Sequence, residues 1–286
     1  MSEMDAVAQW FLEPLQYEFM VKAVLVSGFV GLVCAVLSCY MTLKGWALMG
    51  DAVSHSVTPG VVLAYILNLP FALGAFVFGV GSVLAIGFIK SKTRIKEDTV
   101  IGLVFTGFFA LGLVLISKNP SNVDLLHILF GNVLGIPNKD IIQTFIIGSI
   151  TLIAVAILRK DLLLFCFDPT HARSIGLNTT ALYYILLTLL SLTIVVALQA
   201  VGIILVIAML ITPGAIAYLL SDRFDHMMIF AMVAGVVSSI LGTYLSYHLD
   251  ASTGGCIVVL QTLFFVITMF FAPKHGLLAK MRHEAK

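Results

Sequence analysis

Residues 19–43 read FMVKAVLVSGFVGLVCAVLSCYMTL, and Lys22 is the only charged side chain among them. As an α-helix this run is roughly 37 Å long, which exceeds the ~30 Å hydrocarbon core of a bilayer. The run is too long for the apolar core of a cleaved signal peptide, and acidic rather than basic residues precede it. We therefore expect a membrane-spanning helix that stays attached to the chain.

The composition extends this expectation to all 286 residues. Hydrophobic side chains make up 60% of the chain, charged side chains make up 11%, and the mean hydropathy is +1.08. Soluble domains carry about a quarter of their residues as charged side chains. We expect an all-α, polytopic helical bundle forming one domain over residues 1–286, surrounded by membrane lipid. The formal net charge of +1 gives no electrostatic basis for a nucleic-acid partner.

Charged, proline-containing and polar interruptions divide the chain into about nine apolar segments, with eight as the alternative count. The segments are 19–43, 46–67, 71–89, 99–117, 140–158, 180–199, 201–220, 227–247 and 254–272. The sixth and seventh are so close that they form either a helical hairpin or one broken helix.

Two further segments are predicted not to span. Residues 124–136 (DLLHILFGNVLGI) are apolar but short, which favours an interfacial or re-entrant helix. Residues 161–178 (DLLLFCFDPTHARSIGLN) interrupt the membrane pattern with mixed charge. Within them, Asp168 followed by Pro169 is a helix-start signature, so we expect a short helix there, outside the bilayer.

The positions of the basic residues predict the orientation. If the N-terminus is outside and nine spans alternate, thirteen of the sixteen Lys and Arg residues lie inside. Lys22, Lys118 and Lys139 remain outside. Because basic residues near helix ends resist translocation, this asymmetry predicts a cytoplasmic C-terminus.

The second segment contains the one carboxylate that lies well within an apolar span. Asp51, Ser54, His55 and Thr58 are spaced i, i+3, i+4 and i+7, so they share one helical face. An ionisable residue at membrane depth is costly unless it has a partner or faces a wet cavity. Pro59 and Gly60 follow directly, which predicts a kink where irregular backbone lines a cavity.

A carboxylate and an imidazole one turn apart can share a divalent cation such as manganese, iron or zinc. We interpret Asp51 and His55 as metal ligands, with Ser54 and Thr58 supporting them. Two ligands alone make a poor site, so a second subunit, hydroxyl groups or water would complete it. The alternative is an Asp–His hydrogen bond that only packs the bundle.

The same segment carries a family resemblance. Residues 45–65, GWALMGDAVSHSVTPGVVLAY, resemble the signature G-x-x-L-x-G-D-A-x-S-H-x-x-L-P-G of the permease subunits of bacterial ABC importers for manganese, zinc and iron. Ser56 and Thr58 stand where that family more often has Ala and Leu. Residues 161–178, 201–224 (VGIILVIAMLITPGAIAYLLSDRF) and 245–261 (LSYHLDASTGGCIVVLQ) are also similar to family segments, although Gly255 stands where Pro is frequent.

The resemblance implies a multi-pass subunit of the bacterial inner membrane that moves metal but does not hydrolyse ATP. Its partners would be a second permease subunit, two cytoplasmic ATPase subunits that bind the ATP, and an extracytoplasmic metal-binding protein. Asp51 and His55 would be ligands to the transported metal, with no cofactor bound permanently. The ATPase-coupling residues implied by segment 161–178 are Asp168, Pro169, Arg173 and Gly176. The chain itself contains no G-x-x-x-x-G-K-[ST] phosphate loop.

Two alternatives from other classes stay open on the residues alone. One is a proton-coupled secondary transporter in which Asp51 and His55 form a proton relay. The other is a membrane assembly factor whose polar helix face binds a partner helix. Copurification of an ATPase subunit distinguishes the permease from both.

Overall fold

The computed structural model describes residues 13–118 and 135–278. In these ranges the regular secondary structure is helical, which confirms the all-α expectation. A 3₁₀ turn at Glu13–Gln16 precedes eleven α-helices within the described ranges. They are α1 (Glu18–Lys44), α2 (Met49–Ser56), α3 (Thr58–Ile66), α4 (Phe71–Lys92), α5 (Glu97–Lys118), α6 (Asn138–Phe167), α7 (Pro169–Ser174), α8 (Thr179–Val201), α9 (Ile203–Leu220), α10 (Phe224–Leu249) and α11 (Thr253–Phe271).

Eight helices of the described chain are long and apolar enough to cross a membrane, namely α1, α4, α5, α6, α8, α9, α10 and α11. Seven of them agree with the predicted segments to within three residues at each end. The predicted interfacial helix at 124–136 lies almost wholly outside the described residues. The polytopic bundle is thus confirmed, and the remaining predicted segment, 46–67, is built differently.

That second segment was expected to be one kinked helix, but it is two short helices, α2 and α3, which meet at Val57. Pro59 lies in the first turn of α3. A proline ring lacks the N–H that would bond to the carbonyl four residues earlier, here that of His55, and it clashes with that carbonyl. The break therefore falls just before the proline, directly beside His55.

The fifth segment is longer than predicted. It was expected to end at 158, but α6 continues to Phe167, and the break expected at residue 161 falls at Asp168. Leu162, Phe165 and Cys166 are at most 5% exposed, so core packing extends the helix past its charged residues. The predicted short helix after Asp168 is present as α7.

Contacts between helix ends show that successive passes alternate in direction. At one end of the bundle, Lys44 of α1 lies over the ring of Phe165 on α6, and Tyr183 of α8 bonds to Glu97 of α5. We call this the basic end. Of the two alternatives for residues 199–202, the structure has the hairpin. Gly202, with φ of +85°, reverses the chain, and the end of α9 lies beside the end of α1, at the basic end.

The basic end collects most of the described cations. It holds Lys44, Lys90, Lys92, Arg94, Lys96, Arg159, Lys160, Arg173, Arg223 and Lys274, whereas Lys22, Lys118 and Lys139 lie at the opposite end. Together, α2 and α3 run from the basic end to the opposite end, because Trp46 contacts Tyr183 at one end and Gly60 contacts Gly74 near the start of α4 at the other. The broken pair therefore makes one pass through the bundle.

Close backbone approach fixes this broken pass against its neighbours. Gly60 of α3 and Gly74 of α4 face each other, and a Cβ atom added to either would collide with the carbonyl of the other. On the other side, a Cβ on Gly112 of α5 would lie 2.9 Å from Thr58 Cγ2 and 3.1 Å from the nitrogen of Pro59. The absence of side chains at these three positions lets α3 lie between α4 and α5.

Candidate functional site

The candidate site lies on α2, and the chain before it forms a tight joint. Gly45 ends α1 in the left-handed region, with φ of +74°. The N–H of Trp46 donates to the carbonyl of Met41 at 2.9 Å, and the carbonyl of Trp46 accepts from the N–H of Met49 at 3.1 Å. One residue thus closes α1 and opens α2, so the direction of α2 is fixed from its first turn.

Asp51 and His55 contact each other as the i, i+4 spacing predicts. Asp51 Oδ1 lies 3.3 Å from His55 Nε2, and the two side chains are 39% and 28% exposed in the single chain. Both groups are therefore reachable from outside this subunit.

The two predicted supporting residues have different environments. Ser54 is fully buried, and its hydroxyl donates to the carbonyl of Gly50 at 2.8 Å. Thr58 is 1% exposed, and its Oγ1 has no hydrogen-bond partner. A buried hydroxyl normally has a hydrogen-bond partner. The unpartnered hydroxyl of Thr58, one helical turn beyond His55, is therefore a candidate to contact a ligand or a water molecule.

Two aromatic residues on α5 complete the surroundings of His55. The ring of Phe109 meets the imidazole edge-on, with centroids 5.2 Å apart, and the ring of Phe105 lies 5.5 Å away. They are spaced i, i+4 on α5. Sequence reasoning missed both, because nothing in an apolar helix distinguishes two of its phenylalanines from those that face lipid. The rings restrict the imidazole and make one wall of the site apolar.

Within residues 13–118 and 135–278, no group of three or more His, Cys, Asp or Glu side chains is arranged to hold a metal ion. Asp51 and His55 therefore provide two potential metal ligands, a carboxylate and an imidazole. A metal ion held there would need further ligands from beyond the described part of this chain or from water.

The second candidate region is α7, at the basic end. Asp168 Oδ1 accepts hydrogen bonds from the backbone N–H groups of Thr170 and His171, each at 2.9 Å, so the predicted N-cap is formed. Arg173 Nη2 lies 3.3 Å from the hydroxyl of Thr179, at the start of α8. Gly176 has φ of +91°, which a side chain would disfavour. These contacts hold a short, outward-facing helix in a fixed position between α6 and α8.

Comparison with known proteins places this arrangement in a family. The model of the ABC 3 transport family matches residues 16–272, which include α1 to α11. The chain belongs to the ABC 3 transport family. It is therefore the membrane permease of an ABC transport system rather than an enzyme, and the ATPase is a separate subunit.

Relatives within the ABC 3 transport family match along most of their length. The chain is 70% identical over 271 residues to the manganese transport system membrane protein MntB of Synechocystis sp., which covers 95% of this chain and 89% of MntB. It is 52% identical over 263 residues to a probable iron transport system membrane protein of Haemophilus influenzae, covering 92% and 97% of the two chains.

A solved structure shares the fold. In the structure of PsaBC from Streptococcus pneumoniae in complex with Fab, a chain 40% identical to this one superposes with a TM-score of 0.84, covering 96% of this chain and 99% of that one. The overall helical architecture of this chain is therefore shared by a solved protein structure over nearly the full length of both chains.

Proposed function

We propose that this chain is the membrane-spanning permease of an ATP-driven importer that moves a divalent transition metal into the cytoplasm. Similar proteins named for manganese and for iron transport support manganese and ferrous iron as the first substrates to test, with zinc next. The metal is cargo, and it passes the carboxylate and imidazole of Asp51 and His55.

The observation that carries this proposal is the 3.3 Å pair beside a helix break. An Asp oxygen and a His nitrogen suit manganese, ferrous iron and zinc. Because the described chain supplies two such ligands and leaves them partly exposed, the same pair from a second permease subunit would complete a four-ligand site across the interface. Thr58, with its unpartnered hydroxyl, would hold a water molecule bound to the metal.

The test replaces the ligands while keeping their shapes. Asp51→Asn and His55→Gln should each abolish import of manganese and iron in the assembled transporter, because the site needs an ionised carboxylate and an imidazole nitrogen. Asp98→Asn changes an exposed acid on α5 and is the matched control. Normal uptake by the stably assembled double variant would refute the site, while the transport function itself would stand.

A separate measurement addresses Thr58. Thr58→Val keeps the shape and removes the hydroxyl, and we expect weaker metal binding with an unchanged amount of assembled transporter. Ser54→Ala is the comparison, since the hydroxyl proton of Ser54 is already used within α2. Equal metal affinity in Thr58→Val and the wild type would remove Thr58 from the proposed site.

We further propose that segment 161–178 couples to the ATPase through α7. The support is an outward-facing helix, rigidly capped by Asp168, at the end of the bundle where basic residues collect. That end would be cytoplasmic. A cysteine replacing Ser174 should crosslink to the nucleotide-binding subunit in a manner that responds to ATP, whereas crosslinking confined to residues 90–96 would contradict the proposal.

We propose the orientation and the partners from the position of α7 at the basic end. The N-terminus would lie outside and the C-terminus inside, two ATPase subunits would bind the basic end of a permease dimer, and a metal-binding protein would deliver cargo to the opposite end. A protease applied to the outer surface should remove a tag placed before Gln9 and spare one placed after Lys286. The reverse pattern would overturn the orientation.

The proton-relay alternative uses the same two residues without an ATPase. Dependence of uptake on ATP hydrolysis distinguishes the two mechanisms. Uptake that persists without ATP and follows an imposed proton gradient would favour the relay.

A further inference from the structure

A cluster of aromatic and charged side chains joins four helices at the basic end. Lys44 Nζ lies 4.2 Å above the ring of Phe165. Tyr183 meets the rings of Phe165 and Trp46 edge-on, with centroids 6.5 Å and 5.4 Å away. Its hydroxyl donates to a carboxylate oxygen of Glu97 at 3.2 Å. Tyr183 therefore contacts residues from α6, from the joint before α2, and from α5.

The cluster lies between the two candidate regions. Phe165 is four residues before Pro169, where α7 begins, and Tyr183 is in the second turn of α8, which follows α7 directly. Trp46 is five residues before Asp51. Short connections join α7 to the end of α6 and to the start of α8, Arg173 contacts Thr179, and both of these helix ends contact the cluster.

Trp46 is attached rigidly to α2. Its side chain is 1% exposed, and its backbone N–H and carbonyl bond to the last turn of α1 and the first turn of α2. Packing on all sides confines the indole, and a shift of the whole residue would tilt α2 or break these backbone bonds. Packed cores respond to displacement by moving between discrete arrangements rather than by deforming continuously.

The indole also carries a feature that favours a second arrangement. Its Nε1–H group is buried and has no hydrogen-bond acceptor in this structure. A buried donor without an acceptor is unfavourable, so an arrangement that supplies one competes with the present one. The ring of Tyr183 packs against the indole, and its hydroxyl oxygen, which donates its proton to Glu97, keeps a lone pair that can accept from Nε1–H after a movement of the ring.

We propose that Trp46 and Tyr183 are positioning residues that transmit movement of α7 to α2 and so reorient Asp51 and His55. This inference rests on the proposed function, in which α7 binds the ATPase and Asp51 and His55 bind the cargo. It adds that the bond from Tyr183 to Glu97 holds the cluster in the present arrangement, and that release of this bond accompanies the nucleotide-driven step.

The test uses the complete transporter in lipid nanodiscs, with a reporter on α2. Leu48, at the start of α2, is 55% exposed, so a cysteine there is accessible to a maleimide. Cys256 is replaced by Ser, since the other three cysteines are buried. We expect ATP with vanadate to change the labelling rate of Leu48→Cys by at least about fivefold, the lower end of typical coupling between sites.

Two variants and one control then probe the cluster. Tyr183→Phe removes one oxygen and keeps the ring, and Trp46→Leu removes the indole. In both we expect the labelling response to fall below about twofold and metal imported per ATP to fall at least about fivefold, with ATP hydrolysis retained. Tyr184→Phe removes the same atom one residue away and should behave as the wild type. If Tyr183 and Trp46 only stabilise the fold, the variants should lower the amount of assembled transporter without changing the metal imported per ATP.

The outcomes separate the two proposals. If a cysteine at Ser174 does not crosslink to the ATPase in the wild type, docking at α7 is wrong, whatever the labelling shows. If that crosslink forms but labelling of Leu48→Cys ignores nucleotide, or Tyr183→Phe retains the full response, transmission through Trp46 and Tyr183 is wrong and docking stands.

Discussion

Replacing Gly74 by Ala tests whether the crossing of α3 and α4 holds the broken pass in place. A Cβ on Gly74 would lie 2.8 Å from the Cβ of Ala64 and 2.8 Å from the carbonyl carbon of Gly60, and would overlap the carbonyl oxygen of Gly60. Carbon atoms in good contact lie ~3.5–4.0 Å apart. The two helices must therefore separate by roughly 1 Å, since backbone atoms cannot rotate away.

Overpacking of a filled interior costs about 1–3 kcal/mol, and contact with backbone puts Gly74→Ala at the upper end, ~3 kcal/mol. For a chain of this size that is a fall in Tm of about 6–12 °C. Gly81, on the same helix, has no atom within 4 Å of an added Cβ. Gly81→Ala should therefore be neutral or stabilising by up to ~1 kcal/mol, because alanine favours the helix.

The assay is thermal unfolding of the purified permease complex in detergent, with both variants measured beside the wild type. The difference between Gly74→Ala and Gly81→Ala isolates the crossing, since each adds one methyl group to α4. Equal Tm values for the two variants would show that α3 and α4 do not approach as closely as the structure has them.

Two further predictions concern polar contacts. Ser27 and Thr243 are fully buried, with their hydroxyl oxygens 2.9 Å apart. A double-mutant cycle of Ser27→Ala and Thr243→Val should give a coupling energy of about 0.6 kcal/mol, as for other hydrogen bonds between membrane helices. A coupling energy of zero would contradict this hydrogen bond. Lys274 and His275 lower the pKa of Asp222 from 3.8 to about 2, so their pairing stabilises the segment after α11 above pH ~4 and is lost as the pH falls toward ~2. At neutral pH Asp222→Asn should speed tryptic cleavage after Lys274, whereas Asp250→Asn should not.

The sequence predicts the spans well because membrane insertion depends on the composition of contiguous segments. An apolar run bounded by charge, such as residues 71–89, has few alternatives to a helix once it is in lipid, where every backbone group must bond internally. The observed α4, Phe71–Lys92, begins at the predicted residue and ends three residues later. Composition carries this information locally, so no knowledge of neighbouring helices is needed.

The continuation of α6 shows where this reasoning fails. The sequence predicts that the fifth segment ends at 158 and that residues 161–178 interrupt the membrane pattern, but charge ends a span and not necessarily a helix. Arg159 pairs with Asp225 at the start of α10, and Leu162 is fully buried just beyond it. The pairing with Asp225 joins residues distant in sequence, and a pattern along one segment does not contain it.

In the candidate site, too, the sequence predicts local contacts and misses those between distant helices. The i, i+4 spacing of Asp51 and His55 is local, and the sequence predicts the observed contact because any helix through both residues brings them together. The aromatic wall is not local, because Phe105 and Phe109 are 50 or more residues from His55 and contact it only once α5 packs against α2.

The break between α2 and α3 depends both on the local sequence and on packing against distant helices. Pro59 is a local signal, and it correctly predicts irregular backbone next to His55. Why the chain tolerates this break inside the bundle is a matter of packing, since Gly74 and Gly112 on two other helices leave room for α3. Adding a methyl group to Gly112 should therefore press on Thr58 and displace the hydroxyl that we place beside the metal, although Gly112 is distant in sequence from every proposed ligand.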